Sequence, residues 1–312
     1  MSDGSKSALC ARTQRIHDQI ETIYREGTVL GEDGIRYPVK PTSVTPERGA
    51  FIRELCQREQ ARTTLEIGMA WGLSTLFMLE ALAASDSSFS HTVIDPFQSS
   101  QWHGAGRRAV QDTGLAGHVT IFEEFSRIAL ARMEAEHRQF EFIFVDGGHR
   151  FEDVFVDLIF ADRILKPGGL MIFDDSWFDP VFLTCRFAET NYGYSAAAEY
   201  PKRSADRRRP RRATMRALRK PNTSRKPGSF DFAPFFNDFA ADRSVEHSRL
   251  AERGLDALRR GDRAAARHAF IQMLRIDPYR VKTYSRLMRS FLPTGLAARL
   301  SSHTRKPSVH EQ

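Results

Sequence analysis

The chain has 312 residues, 41% hydrophobic and 27% charged, with a formal net charge of +7. That size and mix suit one large soluble domain with a small appendage, and no stretch approaches the roughly eighteen uncharged apolar residues of a membrane span. The opening segment from Met1 to Ala11 is polar, so no secretory signal is expected, and Cys10, Cys56 and Cys185 lack CxxC spacing, which points to a reducing, cytoplasmic setting without disulfides or a zinc knuckle.

In chain order, apolar residues at helical spacing from Ala8 to Tyr24 predict an amphipathic helix, and the turn-rich stretch Gly31 to Pro41 reads as a loop. Thr45-Pro46 has the form of a helix start, hydroxyl at the cap and proline in the first turn, for a helix running to about Glu59. Strands and helices then alternate. The expected strands are Thr63 to Gly68, His91 to Ile94, Val119 to Phe122, Phe140 to Val145 and Leu170 to Phe173. The expected helices are Ser74 to Ala84, Gly106 to Thr113, Ser126 to Glu136, Phe151 to Leu165 and Val181 to Thr190. Such alternation implies right-handed crossovers and a doubly wound α/β fold with a mostly parallel sheet. Tyr192 to Glu199 and Thr214 to Arg219 are read as a final strand pair.

Charge is unevenly spread: residues 1–200 carry a net −10 and residues 201–312 a net +17, most of it between Lys202 and Lys226. A solvated loop is the expected form of that run, and without interleaved aromatics it argues against a nucleic-acid partner. Gly254, Ala266, Phe270 and Pro278 sit at the offsets of a single tetratricopeptide helix pair. One repeat cannot stand as an array, so a small C-terminal α-helical hairpin is expected, docked on the main domain or offered to a protein partner.

The informative motif is Leu65-Glu66-Ile67-Gly68-Met69-Ala70-Trp71-Gly72, at a strand-to-helix turn. Gly68 and Gly72 permit close backbone approach, and the helix start beyond offers N–H groups to an anion. A dinucleotide loop would read G-x-G-x-x-G; this one is E-x-G-x-x-x-G, which resembles the first motif of class I methyltransferases. The resemblance implies S-adenosyl-L-methionine as cofactor, its methionine carboxylate on the loop and its amino end near Glu66. Asp95, closing the next strand, is placed to accept the ribose hydroxyls, and Ser126, opening the helix after the following strand, lies where related enzymes contact adenine.

Asp146 closes a further strand and Asp174-Asp175 the next, so three carboxylates meet at the ligand-binding edge of the sheet. Like charges brought together call for a counter-charge, and a hard cation, Mg²⁺, with Asp146, Asp174 and Asp175 as ligands, is the expectation. His149 is a candidate general base. From Val44 to about Phe236 the chain resembles the bacterial class I methyltransferases with V-D-G-x-H and D-D motifs. These are related to the macrocin and mycinamicin sugar O-methyltransferases and to the cephalosporin hydroxylase group. The matching residues are the Leu65–Gly72 loop, His91 to Phe97, Trp102, Val145-Asp146-Gly147-Gly148-His149, Gly168-Gly169 and Asp174-Asp175. The resemblance implies metal binding by the three acids and catalysis by His149 with Asp146, although the family pair is typically Glu-Asp, which leaves Asp174 one methylene short.

These readings divide the chain into an N-terminal helix and loop (1–43), a methyltransferase domain (44–240, basic loop about 201–227), the hairpin (241–295) and a disordered tail (296–312). The expected activity is metal-assisted O-methylation of a hydroxyl on a small or sugar-containing metabolite. Hydroxylase-type chemistry and a non-catalytic cofactor-binding protein are the alternatives, and a homo-oligomer is compatible with the composition.

Overall fold

The computed structural model describes residues 3–84, 88–201, 213–223 and 243–276, together with Leu287 and Phe291. The chain divides into two compact units, Met1–Phe232 and Ala233–Gln312.

The first unit is built on a seven-stranded sheet. Its strands are β3 (Thr63–Ile67), β4 (Ser90–Ile94), β5 (Val119–Phe122), β6 (Phe140–Val145), β7 (Leu165–Phe173), β8 (Ser195–Tyr200) and β9 (Met215–Arg219), in the spatial order β5-β4-β3-β6-β7-β9-β8. Strands β3 to β7 are parallel to their neighbours, β9 runs antiparallel to β7, and β8 runs antiparallel to β9. The expected α/β architecture is present, and the strand order reverses between β3 and β6, which opens the crevice where doubly wound sheets bind ligands.

The helices are α1 (Asp3–Glu26), α2 (Pro46–Arg58), α3 (Leu73–Ala83), α4 (Ala105–Thr113), α5 (Ser126–Ala135), α6 (Phe151–Ile164) and α7 (Asp179–Phe187). Helix α2 begins as its sequence dictates, with the Thr45 hydroxyl accepting from Arg48 N at 3.4 Å. Helix α3 is apolar on every side and every residue in it is buried, the behaviour of a core helix. Its one acid, Glu80, is bound by Arg53 of α2 at 2.8 and 2.9 Å and by His17 of α1 at 3.1 Å, which ties both N-terminal helices to the core.

Three details depart from the sequence reading. The stretch read as a loop holds a short antiparallel hairpin, β1 (Thr28–Leu30) with β2 (Arg36–Pro38); three-residue strands flanked by glycine carry no usable periodicity. Strand β7 starts at Leu165, before the Lys-Pro-Gly-Gly turn signal, because Leu165 pairs with Phe140 and the register then shifts to Leu170 opposite Phe142. The strand read over Thr214 to Arg219 is present as β9, but the basic residues at this end of the run are paired and not solvated: buried Arg216 pairs with Glu189 and Glu199, Arg219 binds Glu59, and Lys220 donates to the Leu165 carbonyl. The rest of that run lies outside the described residues.

In the second unit, α8 (Arg243–Arg259) and α9 (Arg263–Ile276) pack as a hairpin. Gly254 is required there because a Cβ would lie 2.3 Å from the buried Phe270 ring. Ala257, Ala266, Phe270 and Met273 form its core, while Pro278 and the tail from residue 292 lie outside the described residues. Among the described residues, no helix is long and apolar enough to cross a membrane.

Candidate active site

The sheet register puts the candidate residues at one level. Ile67 aligns with Ile94 and Val145, and Val145 with Phe173. The residues that follow are Gly68, Asp95, Asp146 and Asp174. Backbone bonds continue the ladder through them: Gly68 N to Ile94 O at 2.8 Å, Asp146 N to Ile67 O at 2.8 Å and Asp174 N to Val145 O at 3.0 Å. Gly68 has φ +90°, and a Cβ there would lie 2.1 Å from the Asp146 carbonyl oxygen. Only glycine lets the two loops meet.

Within the glycine loop, the structure gives the acids local partners. Glu66 is fully buried; its carboxylate accepts from Ser74 Oγ (2.5 Å), Thr75 Oγ1 (2.6 Å) and His91 Nε2 (3.2 Å), fixing the start of α3 to β3 and β4. Asp95 Oδ2 accepts from Met69 N (3.0 Å), Ala70 N (2.7 Å) and Gln98 Nε2 (3.2 Å), and Oδ1 from Phe97 N (2.8 Å). Ala70 sits at φ +47°, a conformation that costs a non-glycine residue about 1–2 kcal/mol, and Asp95 is what holds it. Gly72 caps α3 with no side-chain hydrogen bond, so first-turn N–H groups stay available to an anion. Ser126 is in the first turn of α5 beside Asp157 of α6. Burial pushes the Asp157 carboxyl up to about 7, the Asp153 charge adds to this, and the Ser126 hydroxyl opposes it.

Across the crevice edge the structure brings His149, Asp146 and Asp175 together. His149 Nε2 lies 3.1 Å from Asp175 Oδ2 and 3.9 Å from Asp146 Oδ1, and donor atoms of the three residues fall within 4.8 Å of one another. Asp174 is engaged differently. Arg48, from the first turn of α2, reaches the same place, pairing with Asp174 Oδ1 and lying 3.1 Å from Asp175 Oδ1. Asp174 is almost wholly buried and also accepts from Asp175 N at 2.7 Å. A positive side chain thus occupies the place where the sequence called for a cation beside Asp174.

The environments push the acids apart. Removal from water, then the charges of Asp174 and Asp175, raise the Asp146 carboxyl well above the usual carboxylate range. Burial also pushes Asp175 up, but the His149 hydrogen bond and the Arg48 charge outweigh it and leave Asp175 below that range. Asp175 is therefore the acid that stays ionised beside the imidazole. It is held at φ +48°, in the left-handed region that aspartate tolerates better than most residues. With Nε2–H donating to Asp175, the other ring nitrogen, Nδ1, is left as the acceptor.

Sequence reasoning missed Arg48, Trp177, Phe178 and Asp157. Arg48 stands 127 positions from Asp175, and no local spacing signals such a contact. The β1–β2 hairpin also reaches the glycine loop, with the Tyr37 ring stacked on Trp71 at 5.7 Å.

Residues 65–176 match the family model described as Methyltransferase domain. No curated protein matches the chain. Among solved structures, a protein of Klebsiella pneumoniae assigned as an O-methyltransferase is similar at 20% identity and TM-score 0.50, over 67% of this chain and 90% of that one. The O-methyltransferase from Bacillus cereus, solved with SAH, aligns at 19% identity and TM-score 0.48, over 66% and 91% of the two chains. TomG from Streptomyces achromogenes, an O-methyltransferase of tomaymycin synthesis solved with SAM, aligns at 18% and 0.45, over 72% and 92%. The chain carries a methyltransferase domain over residues 65–176 on the class I fold.

Proposed function

We propose that this domain uses S-adenosylmethionine to methylate a hydroxyl of a small or sugar-bearing metabolite, with His149 as general base oriented by Asp175. The observation that carries the reading is the 3.1 Å contact between His149 Nε2 and Asp175 Oδ2 at the edge of the cofactor loop. Ionised Asp175 fixes the imidazole tautomer and stabilises the imidazolium as it forms, and Nδ1 takes the hydroxyl proton. S-adenosylmethionine, when bound, would supply its sulfonium methyl group to that oxygen, with S-adenosylhomocysteine as the leaving group and a methyl ether as product. The cofactor's methionine carboxylate suits the uncapped start of α3. Asp95 serves the cofactor by holding the Met69–Ala70 turn, and Ser126 lies on the side assigned to adenine. Methyl transfer is preferred to hydroxylation because the matched family model is a methyltransferase domain.

Arg48 bears on the metal. Asp174 does not fit a ligand role while its Oδ1 is held by Arg48. A second reading, a Mg²⁺-like divalent cation on Asp146, Asp175 and His149, is favoured by the 4.8 Å spread of their donor atoms. Such a cation would orient and acidify the acceptor hydroxyl. In that arrangement His149 Nε2 is a ligand, and proton transfer falls to another group. The test is a screen of hydroxylated acceptors with labelled cofactor, followed by His149→Ala and EDTA treatment. His149→Ala is expected to lower turnover by roughly 10²–10⁴-fold while S-adenosylhomocysteine still binds. Full activity in EDTA removes the cation, and an unimpaired His149→Ala removes the base.

A further inference from the structure

Directly after Asp175 the chain reads Ser176-Trp177-Phe178, and α7 begins at Asp179. Ser176 is buried, but Trp177 and Phe178 remain 43% and 38% exposed. Their rings stack at 3.9 Å between centroids, and the Phe178 ring lies 5.4 Å from the His149 ring. Trp177 Nε1 donates to Asp175 Oδ1 at 3.1 Å, so the indole is fixed to the acid that orients the base. Two residues beyond His149, Phe151 is 41% exposed and stacks on Phe155 at 5.1 Å. Exposed apolar surface gathered in one place marks a binding site more often than scattered residues do, and the Trp177–Phe178 pair adjoins His149.

We propose that Trp177 and Phe178 form the platform on which the methyl acceptor lies, and that the acceptor is a hydroxylated aromatic compound with its ring against this pair and one hydroxyl at His149. The proposal rests on the methyl-transfer reading and narrows its substrate. The distribution of polarity favours an aromatic ring over a sugar. Charged groups collect at one edge, in Asp146, Asp175 and Arg48, whereas Trp177 and Phe178, stacked on each other, expose only apolar ring surface. A sugar carries hydroxyls around its whole rim and needs partners on several sides; a phenol needs a polar partner at one edge and an apolar face elsewhere. The Trp177 bond to Asp175 couples the two parts, since the group that sets the height of the platform also touches the carboxylate behind the base.

The full-length chain, with and without S-adenosylhomocysteine, would be titrated by calorimetry with 2,3-dihydroxynaphthalene and, separately, with methyl α-D-glucopyranoside. The naphthalenediol is expected to bind and the glucopyranoside not. Trp177→Ala and Phe178→Ala should each weaken the diol about tenfold, the scale of a lost aromatic stack, and Phe178→Tyr should restore it. S-adenosylhomocysteine affinity reports that each variant is folded. Equal diol affinity in both alanine variants, tighter binding of the glucopyranoside, or no binding of the diol to the wild type overturns the platform. Absence of S-adenosylhomocysteine binding overturns the methyl-transfer reading instead, so the two failures are distinguishable.

Discussion

Asp157 offers a quantitative test of the packing beneath the loop that carries His149. Its side chain is 1% exposed, neither carboxylate oxygen receives a well-formed hydrogen bond, and its carboxyl is pushed up to about 7 by burial. A Cβ on Gly147 would come within 3.5 Å of Asp157 Oδ2, so the acid underlies the loop that carries His149. The folded chain holds this proton more tightly than the unfolded chain, whose aspartate titrates near 3.9. Stability therefore falls as pH rises from about 4 to about 7 and levels off above. Integrating between the two values gives a cost of roughly 2 kcal/mol at pH 5.5 and roughly 4 kcal/mol at pH 8. Asp157→Asn removes the charge and nearly preserves the shape. Urea unfolding of both proteins at the two pH values isolates the effect, because every other titrating group cancels in the comparison. Relative to wild type, the variant should be more favourable at pH 8 than at pH 5.5 by about 2 kcal/mol. A stability difference that is the same at both pH values would refute the reasoning, since it would mean that Asp157 is not held as an acid under strain.

Asp95→Ala releases the Met69–Ala70 turn and should weaken S-adenosylhomocysteine by about 1.5–3 kcal/mol, the scale of hydrogen bonds to a charged group; undiminished affinity by calorimetry counts against any role for Asp95 at the cofactor. Arg48→Ala strands the buried Asp174 carboxylate and should cost about 3–5 kcal/mol in urea unfolding at pH 8, and a loss below about 1 kcal/mol would show that another positive group neutralises this acid. Gly68→Ala combines left-handed backbone with a Cβ against the Asp146 carbonyl and should destabilise by about 2–4 kcal/mol; wild-type stability would mean the two loops do not meet as described.

Glycine-loop and strand-end residues were legible in the sequence because both depend on local chain geometry. Buried strands announce themselves as short apolar runs, Gly68 and Gly72 mark a turn that side chains cannot follow, and Asp95, Asp146 and Asp174 close their strands wherever the sheet is parallel. From there the α/β order, the glycine loop and the crevice edge follow without long-range information. The Gly254–Phe270 contact of the hairpin was readable for the same reason, as a fixed offset within one helix pair.

What each acid does was decided by contacts across the fold. Glu66 and Asp95 were readable as acids at the glycine loop, but Ser74, Thr75 and His91 occupy one and the loop's own N–H groups the other. The three carboxylates were readable as a cluster that needed a positive partner, and the identity of that partner was not. Packing of α2 against α3 brings Arg48 to Asp174, while Asp175 turns to His149. Trp177 and Phe178 read as ordinary apolar residues until α7 fixes their backbone and leaves them in the open beside His149. Backbone propensity and hydrophobic period act over a few residues and are written in the chain, whereas the partner of a charge and the exposure of a ring depend on which distant surfaces meet, and only the folded sheet and its helices supply that.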